Sequence, residues 1–502
     1  MKKRLTLCLA LLGLTTGAMA ELQSVEVGGE VRIRGRFWND NYSNAVGGPA
    51  TPRYTRSNFA ARPLGPFGLR SRFDFDDRGS DLAYVEHRTR LNVKANFTDD
   101  VSTFVEFESF DIWGSDFRSN YVSGLDTAGG SDVQLYQAYI ETRNTFGLPL
   151  RVRTGRQEIK LGKGWLVDDI TTAIIGRSFD GMRFTYAQNG VELDGWWTKL
   201  SETFSGDDDV DFYGLYGTYS ALENVKFSLY WMLLRDGVTA TDTTLGPGGE
   251  WVEDLFGVDD YSPTTLHTIG TRIWGNIGAF DYDWELAYQF GEADNVGALF
   301  VPVVYGDNEA DFDALATDLS LGYTLDMAWN PRVYVGGAFF EGEDNRDFRF
   351  GDRVLGGIRG TESSVSFNRL FPGKPYSLIL GINQELSNFW QLRTGVNVKP
   401  TEKISVAFKV AYFEIDEAFD TPVIPFLAPW TRENDEALGW TTFLMAKYQY
   451  SPDVSIAILW EHLFTGDGLE QGNFFARNGL EFVGGTDDDD ADYVHFDLQV
   501  KF

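Results

Sequence analysis

Apolar and polar side chains alternate along strand-length segments from one end of the chain to the other. Residues 279–291 are the clearest segment, with Phe280, Tyr282, Trp284, Leu286, Tyr288 and Phe290 on one face and Asp281, Asp283, Glu285 and Gln289 on the other. Residues 24–38, 82–97, 101–111 and 493–502 repeat the pattern. Successive side chains of a strand face opposite sides. A soluble sheet rarely sets six large apolar groups opposite carboxylates, whereas a lipid-facing wall around a wet interior does so routinely.

The connections between these segments are alternately short and long. The short ones are 98–100, 144–149, 188–190, 222–224, 276–278, 327–330, 399–403 and 451–453, and the long ones are 39–80, 112–131, 158–179, 204–210, 236–263, 292–311, 343–385, 415–438 and 465–490. Eight short and nine long connections predict an all-β fold, a transmembrane antiparallel β-barrel of 18 strands with short periplasmic turns and long extracellular loops. Residues 376–384 could form another strand, but we assign them to the seventh outer loop, folded inward.

Tryptophans lie near several predicted strand ends. Aromatic girdles at the two membrane interfaces explain this placement. The girdle tryptophans are expected to be Trp38, Trp113, Trp196, Trp197, Trp231, Trp274, Trp440 and Trp460.

The first twenty residues have the pattern of a secretory signal. Lys2, Lys3 and Arg4 precede an apolar run from Leu5 to Leu14, and Ala18-Met19-Ala20 is a cleavage motif. We expect residues 1–20 to be the signal peptide and residues 21–502 to form one barrel domain. Cleavage removes Cys8, the only cysteine, and with it any disulfide or thiolate metal site. No later apolar run approaches about 18 residues, which excludes transmembrane helices. The predicted location is the outer membrane of a Gram-negative bacterium.

The formal net charge is −31. An acidic chain of this kind is not expected to bind nucleic acid. The acid clusters, such as Asp207 to Asp209 and Asp487 to Asp490, all fall in predicted loops. They are either solvated loop surface or ligands for divalent cations shared with lipopolysaccharide, because carboxylate oxygens suit Ca²⁺ and Mg²⁺. Outer-membrane lipids, including lipopolysaccharide, are therefore expected partners.

Barrels of sixteen to eighteen strands enclose an aqueous channel, so the inward residues determine the chemistry. Cations on the predicted inner face are concentrated early in the chain: Arg32, Arg34, Arg36, Arg88, Arg90, Lys94, Arg151, Arg153 and Arg183, with Arg272, Arg393 and Lys409 elsewhere. Rings of arginine select anions in pores, and the guanidinium binds carboxylates through a bidentate fork. Alternatively, each arginine pairs with an acid of the lumen and stiffens the wall. The sequence supports both interpretations.

Catalysis has little support in the sequence. The four histidines, His87, His267, His462 and His495, form no H-x-x-x-H pair, and there is no G-x-S-x-G motif. We expect no enzyme activity and no cofactor.

Two groups of motifs resemble a known family. The first runs from Gly155-Arg156-Gln157-Glu158-Ile159 through Gly162 and Gly164-Trp165-Leu166 to Arg177-Ser-Phe-Asp-Gly-Met-Arg183. The second comprises Ser366-Phe-Asn-Arg-Leu-Phe371 and Arg393-Thr-Gly-Val-Asn-Val-Lys-Pro-Thr-Glu-Lys403. Both are similar to the alginate export family of outer-membrane barrels. The resemblance implies an eighteen-strand barrel with an arginine-lined channel for an anionic polyuronate. The chain departs from alginate exporters at Ser451-Pro452-Asp453, where those proteins have a long turn that closes the periplasmic mouth.

We therefore predict an outer-membrane channel that passes anionic oligo- or polysaccharide, with alginate-like uronates first. The predicted pore-lining residues that bind substrate are Arg32, Arg34, Arg88, Arg90, Arg151, Arg153, Arg156, Arg183 and Arg393. A periplasmic scaffold protein is a further partner if the channel exports. The alternative is a general diffusion porin that takes up small sugars or organic acids.

Overall fold

The computed structural model describes residues 21–42, 80–98, 100–114, 133–170, 175–202, 209–237, 263–292, 310–342, 363–380, 386–417, 435–469 and 490–502. The predicted signal peptide and most of the long loops lie outside the described residues. No helix in these ranges is both long enough and apolar enough to cross a membrane.

Nineteen strands make one sheet. They are β1 Leu22–Tyr42, β2 Ser80–Phe97, β3 Val101–Ile112, β4 Val133–Thr142, β5 Leu150–Gln157, β6 Phe179–Gln188, β7 Val191–Ser201, β8 Val210–Tyr219, β9 Lys226–Asp236, β10 Thr264–Ile277, β11 Phe280–Glu292, β12 Ala310–Thr324, β13 Arg332–Phe340, β14 Ser363–Val365, β15 Phe389–Thr401, β16 Ile404–Ile415, β17 Ala437–Gln449, β18 Val454–Thr465 and β19 Ala491–Lys501.

Eighteen of these strands close into an antiparallel barrel. Each pairs with its neighbour in the chain, and β1 pairs both with β2 and with β19. Closure matters because every backbone N–H and C=O group in hydrocarbon needs a partner within the protein. The predicted barrel of eighteen strands is confirmed, and each of the eight short connections joins the strands assigned to it.

The additional strand, β14, is only three residues long. It pairs in parallel with the first residues of β12, Ala310 to Phe312, beyond the point where the pairing of β12 with β13 ends. Three residues are too few to show a periodic pattern, so the sequence did not predict this strand. The described part of the 376–384 segment, residues 376–380, is a buried turn rather than a strand, which agrees with its assignment to an inward loop.

The two faces of the wall follow the predicted alternation. On β11, Trp284 and Tyr288 are exposed on the outer face, whereas Glu285 and Gln289 are buried on the inner face. On β1, Val27 is exposed and Arg34 is buried. Apolar side chains therefore coat the outside of the barrel, and charged side chains lie within it.

Trp196 and Trp197 show why three girdle assignments are wrong. Trp197 is exposed on the outer face, but Trp196 is buried on the inner face because consecutive strand residues point to opposite sides. Trp38 is also buried, and its ring packs against Tyr84 and Tyr493. Trp274 also lies on the inner face, where it pairs in register with Asp283 and the guanidinium of Arg272 lies 4.3 Å from its ring centre. These three tryptophans belong to the interior, whereas Trp113, Trp440 and Trp460 are exposed as expected.

A charge placed on the outer face should destabilise the barrel in a manner that depends on depth. Phe496 is exposed in the middle of β19, and Phe280 is exposed at the turn end of β11. We expect Phe496→Arg to lower the free energy of unfolding by about 2–4 kcal/mol and Phe280→Arg by about 0–1 kcal/mol. Denaturant titration in phospholipid vesicles measures both values. Equal losses at the two positions would contradict a lipid-facing outer surface.

Candidate functional site

Two chain segments fold into the interior of the barrel. One is the β5–β6 loop, described at residues 158–170 and 175–178, and the other is the β14–β15 loop, described at residues 366–380 and 386–388. Both carry fully buried apolar side chains: Ile159, Trp165, Val167, Phe367, Ile379 and Leu386. Since these groups cannot be hidden in a water-filled lumen by the polar wall alone, the loops bury them against each other and against aromatic residues of the wall.

The two loops are joined by backbone and side-chain hydrogen bonds. The amide of Asp168 donates to the carbonyl of Phe371 at 2.9 Å, and the amide of Phe371 donates to the carbonyl of Leu166 at 2.8 Å. The indole Nε1 of Trp165 donates to the hydroxyl of Tyr376 at 2.9 Å. Segments about 200 residues apart in the sequence therefore form one inner partition.

Two glycines permit this close approach. A Cβ atom on Gly164 would lie 1.8 Å from the carboxylate of Asp168, and one on Gly373 would lie 2.2 Å from the same carboxylate. Gly164 also has φ +72°, which L side chains rarely adopt. A side chain at Gly373 would push the two loops apart, and one at Gly164 would displace Asp168 within its own loop.

Asp318 of β12 clamps both loops to the wall. Its fully buried carboxylate accepts hydrogen bonds from Lys163 of the β5–β6 loop at 3.0 Å and from Lys374 of the β14–β15 loop at 2.7 Å. Tyr376 donates to it at 2.8 Å, and Arg393 of β15 donates at 3.0 Å. One carboxylate thus receives three cations and a hydroxyl, which satisfies it away from bulk water.

Further anchors carry the β14–β15 loop across the lumen. They lie on β11, β16 and β18: Gln289 exchanges hydrogen bonds with the backbone of Asn368, Lys409 donates to the carbonyl of Tyr376 at 2.9 Å, and Glu461 accepts from the amide of Leu378 at 2.9 Å. A loop tied to strands that are so far apart in the wall narrows the passage through the barrel.

The first residues of the β5–β6 loop are anchored to β2 and β4. The guanidinium of Arg90 lies 3.9 Å from the ring centre of Tyr136, whose hydroxyl donates to Glu158 at 2.6 Å. Burial raises the pKa of Glu158 to about 7; the hydrogen bond from Tyr136 and the charge of Arg90 oppose this shift, and the charge of Asp169 adds to it. Arg90 also pairs with Glu108 at 2.7 Å.

The predicted arginines of β1 and β2 lie on the inner face and are paired with acids. Arg32 and Arg34 both bind Asp497, at 2.5 Å and 2.6 Å. Arg88 binds Glu30. For this part of the wall, the interpretation that arginines pair with lumen acids describes the contacts seen.

The arginines of β5 and β6 form a more cationic group. Arg153 binds Glu141 at 2.5 Å, and Arg183 binds Asp194 through Nε and Nη2, each at 3.0 Å. Arg151 donates to the hydroxyl of Thr185 at 3.2 Å. Within the described part of the chain, no carboxylate lies within 4.0 Å of the guanidinium of Arg151. Arg143, in the adjoining turn, shares Glu141 with Arg153. Four guanidinium groups are thus served by two carboxylates.

Arg156 is placed differently from the prediction. Its side chain is 42% exposed and pairs at 2.7 Å with Asp180, which is 52% exposed. Arg153 and Arg156 are three positions apart, so they point to opposite sides of the wall. The expectation that Arg156 lines the interior is wrong for that reason, although the residue lies within the family motif.

Sequence reasoning missed the residues that hold the loops. Lys163, Lys374 and Asp318 belong to no periodic pattern that points to a partner, and their contacts join distant segments. One signal was available, because Lys163 and Lys374 stand beside glycine and proline in otherwise apolar loop segments, Gly162-Lys163-Gly164 and Gly373-Lys374-Pro375. A lysine enclosed in this way needs an acidic partner.

The histidines do not come together. His267 stacks on Phe290, and His495 contacts the hydroxyl of Tyr493 at 3.0 Å. Across the described ranges, no group of three or more His, Cys, Asp or Glu side chains is arranged to hold a metal ion.

Loss of the Asp318 charge should loosen both loops. We expect Asp318→Asn to cost about 3–5 kcal/mol of stability, because it leaves buried cations without their partner, and to raise the single-channel conductance. The matched control is Asp281→Asn on β11, since Asp281 pairs with Arg332 in a partly exposed bridge and should cost less than about 1 kcal/mol. Conductance in planar bilayers and thermal unfolding in detergent measure both effects. An unchanged conductance in Asp318→Asn would contradict the clamp.

The comparisons with known proteins agree with this architecture. The OccAB1 structure of Acinetobacter baumannii is 11% identical with a TM-score of 0.52, over 95% of this chain and 96% of that one. OccK8 (OprE) of Pseudomonas aeruginosa is 11% identical with a TM-score of 0.50, over 95% and 98%. At this identity the likeness concerns the fold alone.

At the level of sequence, no curated relative matches the chain. The model of the alginate export family matches residues 66–478, which include both inner loops and most of the barrel. The chain therefore belongs to the alginate export family, and it is an outer-membrane β-barrel channel.

Proposed function

We propose that the channel passes anionic saccharides, with alginate-like uronates as the first candidates. The proposal is carried by the cluster of Arg143, Arg151, Arg153 and Arg183 near the turn end of β5 and β6, where four guanidiniums share two carboxylates. A guanidinium without a protein carboxylate offers its fork to a carboxylate of the substrate. Family membership supports the same substrate class.

The spacing between neighbouring arginines on the wall suits a substrate that carries repeated carboxylates. Register pairing places Arg153 directly opposite Arg183 on the neighbouring strand, about 5 Å away at the backbone. Arg151 and Arg153 are two positions apart on β5, about 7 Å along the strand. A sugar acid polymer can exchange one guanidinium for the next over such distances, so each step of its movement replaces a contact instead of losing it.

Passage requires no chemical step and no cofactor. The arginines bind and orient carboxylates, and the inner partition formed by the two loops limits the width of the path. The short turn at residues 450–453 leaves the periplasmic side of β17 and β18 without a long covering segment. That feature favours diffusion, and it is the observation behind the second candidate, a porin for small sugars or organic acids.

The first prediction concerns ion selectivity. The channel should prefer anions, and Arg151→Gln should lower the ratio of anion to cation permeability about sixfold. A unit charge about 8 Å from the ion path in water contributes about 0.5 kcal/mol, with opposite sign for the anion and the cation, so the ratio changes by about 1 kcal/mol. Arg156→Gln makes the same change on the outer face of the same strand and should leave the ratio unchanged. Reversal potentials across a salt gradient in planar bilayers measure it. Cation selectivity of the unaltered protein would sink the proposal.

The second prediction separates the two candidate substrates. An oligomeric uronate should block the anion current at lower concentration than a uronic acid monomer, because several carboxylates are held at once. Arg151→Gln should weaken the block by the oligomer about tenfold, the effect of losing one charge-assisted hydrogen-bonded contact. A neutral oligosaccharide of equal length is the control. Equal block by monomer and oligomer would favour the general porin.

A further inference from the structure

Two stacked aromatic rings of the inner wall remain half-exposed. Phe104 of β3 and Tyr139 of β4 are register partners, and their ring centroids lie 5.3 Å apart with an interplanar angle of 27°. Both residues point inward by the alternation of the strands, because Phe104 stands two positions before the buried Glu106 and Tyr139 two positions before the buried Glu141. We call Phe104 and Tyr139 the aromatic pair. It lies beside the arginine cluster of β5 and β6, since Tyr139 and Arg153 are on adjacent strands.

Several other aromatic side chains of the inner wall are packed away from water. Trp196 packs on Phe212, and Phe212 contacts Phe371 of the inner partition. Tyr216 and Tyr230 stack on each other and are buried. An apolar ring left in a water-filled lumen retains the cost of hydration that burial would remove. The aromatic pair therefore offers an apolar surface to a ligand in the passage.

The order of the strands shows which ring face is open. The guanidinium of Arg153 lies 4.7 Å from the ring centre of Tyr139. Because β4 lies between β3 and β5, Phe104 and Arg153 flank the Tyr139 ring from opposite sides. The face of Phe104 directed to β2 remains, and among the described residues no ring or cation stacks on it.

A lysine stands beside that open face. Lys94 of β2 is the register partner of Phe104 and points inward like Arg90 on the same strand. In the described part of the chain, no carboxylate pairs with the Lys94 ammonium. Lysine carries a compact charge on a flexible four-carbon stem, so the ammonium can turn to a ligand that is held on the Phe104 ring.

The same combination occurs a second time on the inner wall. Trp274 of β10 and Lys226 of β9 are register partners. The Trp274 ring is half-buried, with the guanidinium of Arg272 at 4.3 Å from its centre. Lys226, like Lys94, has no carboxylate partner within the described ranges. An aromatic ring with a guanidinium and a register-paired lysine thus lies on either side of the arginine cluster, on β2–β5 and on β9–β10.

We propose that the aromatic pair and Lys94 form a saccharide subsite that continues the arginine cluster. A sugar ring stacks its C–H face on Phe104, and Lys94 binds a carboxylate of the same oligomer. The negative face of an aromatic ring attracts the weakly positive C–H bonds of a sugar. Lys94 and Arg153 lie three strands apart, about 14 Å at the backbone, so one oligomer bridges them across the aromatic pair.

This inference rests on the proposed function and assigns the sugar part of the substrate a site of its own. The arginines recognise a carboxylate whatever molecule carries it. The aromatic pair recognises the ring between the carboxylates. The subsite therefore distinguishes a uronate from another polyanion of the same charge, which the arginine cluster alone does not.

The experiment compares the block of the channel current by two oligomers of equal charge, a uronate and a glutamate oligomer, with the full chain in planar bilayers. Phe104→Leu should weaken the uronate block about fivefold and leave the glutamate block unchanged, because leucine is apolar but has no aromatic face. Lys94→Gln should weaken both blocks, by up to about fivefold, since it removes a charge that both oligomers use. Phe107→Leu is the matched control on the outer face of the same strand and should change neither.

Two further variants complete the test. Phe104→Trp keeps an aromatic face and should retain the uronate block within about twofold. Tyr139→Leu removes the ring that backs Phe104 and should weaken the uronate block alone, so it decides the result if Phe104→Leu does not fold. Mobility with and without heating on a denaturing gel verifies folding.

The outcomes separate the subsite from the function on which it rests. An unchanged uronate block in Phe104→Leu, an equal loss for both oligomers in that variant, or a loss in Phe107→Leu would overturn the subsite and leave the anion channel standing. If neither oligomer blocked the unaltered channel, the proposed function and the subsite would both be overturned.

Discussion

Closure of the sheet between β1 and β19 is the constraint from which the rest of the structure follows. Ten register pairs join these strands, and the last residue exchanges backbone hydrogen bonds with Gly29, at 2.9 Å and 3.1 Å. Without this seam, two strand edges would expose unpaired amides and carbonyls to hydrocarbon, at a cost of several kcal/mol for each group. Closure also fixes which side of every strand faces lipid, so it divides the charged residues from the apolar ones in a single step.

A closed wall with a charged inner face creates a second problem, because many ionised groups must be satisfied in a confined space. The barrel solves it differently in its two halves. Along β1 and β2, arginines are matched with acids on neighbouring strands, as in the pair of Arg34 and Asp497. On β12, Asp318 is matched with Lys163 and Lys374, which belong to the two loops that fold into the lumen. In the cluster around Arg151, four guanidiniums share two carboxylates, and Arg151 itself has no carboxylate within 4.0 Å among the described residues. The proposed substrate contacts lie there.

The inner partition and the salt bridge of Arg156 with Asp180 on the outer face depend on the same short strand, β5. The β5–β6 loop begins at the end of an eight-residue strand, so it starts low enough to turn into the lumen and reach Asp318. The same short strand places Arg156 at the rim, on the outer face. The family motif therefore spans two surfaces, one directed to the passage and one to the surrounding lipid.

Local periodicity determined the architecture. Alternation with a period of two assigned residues such as Glu285 and Trp284 to opposite faces, and the lengths of the connections counted the strands, because both signals arise from contacts between residues that are near in the sequence. Arg156 was wrongly assigned to the interior because its place in the family motif was given more weight than its position in the alternation of inward and outward residues. Trp38, Trp196 and Trp274 were misplaced because aromatic rings suit both an interface and an interior.

Only the tertiary structure decided how the lumen is partitioned. The meeting of Trp165 with Tyr376, and of Lys163 and Lys374 with Asp318, joins segments that the chain separates by up to about 200 residues. Loops have no repeating geometry that could align such partners in advance, and their positions follow from where the closed wall brings its ends. For the same reason, the register that sets Arg153 opposite Arg183 emerges only when β5 and β6 are paired.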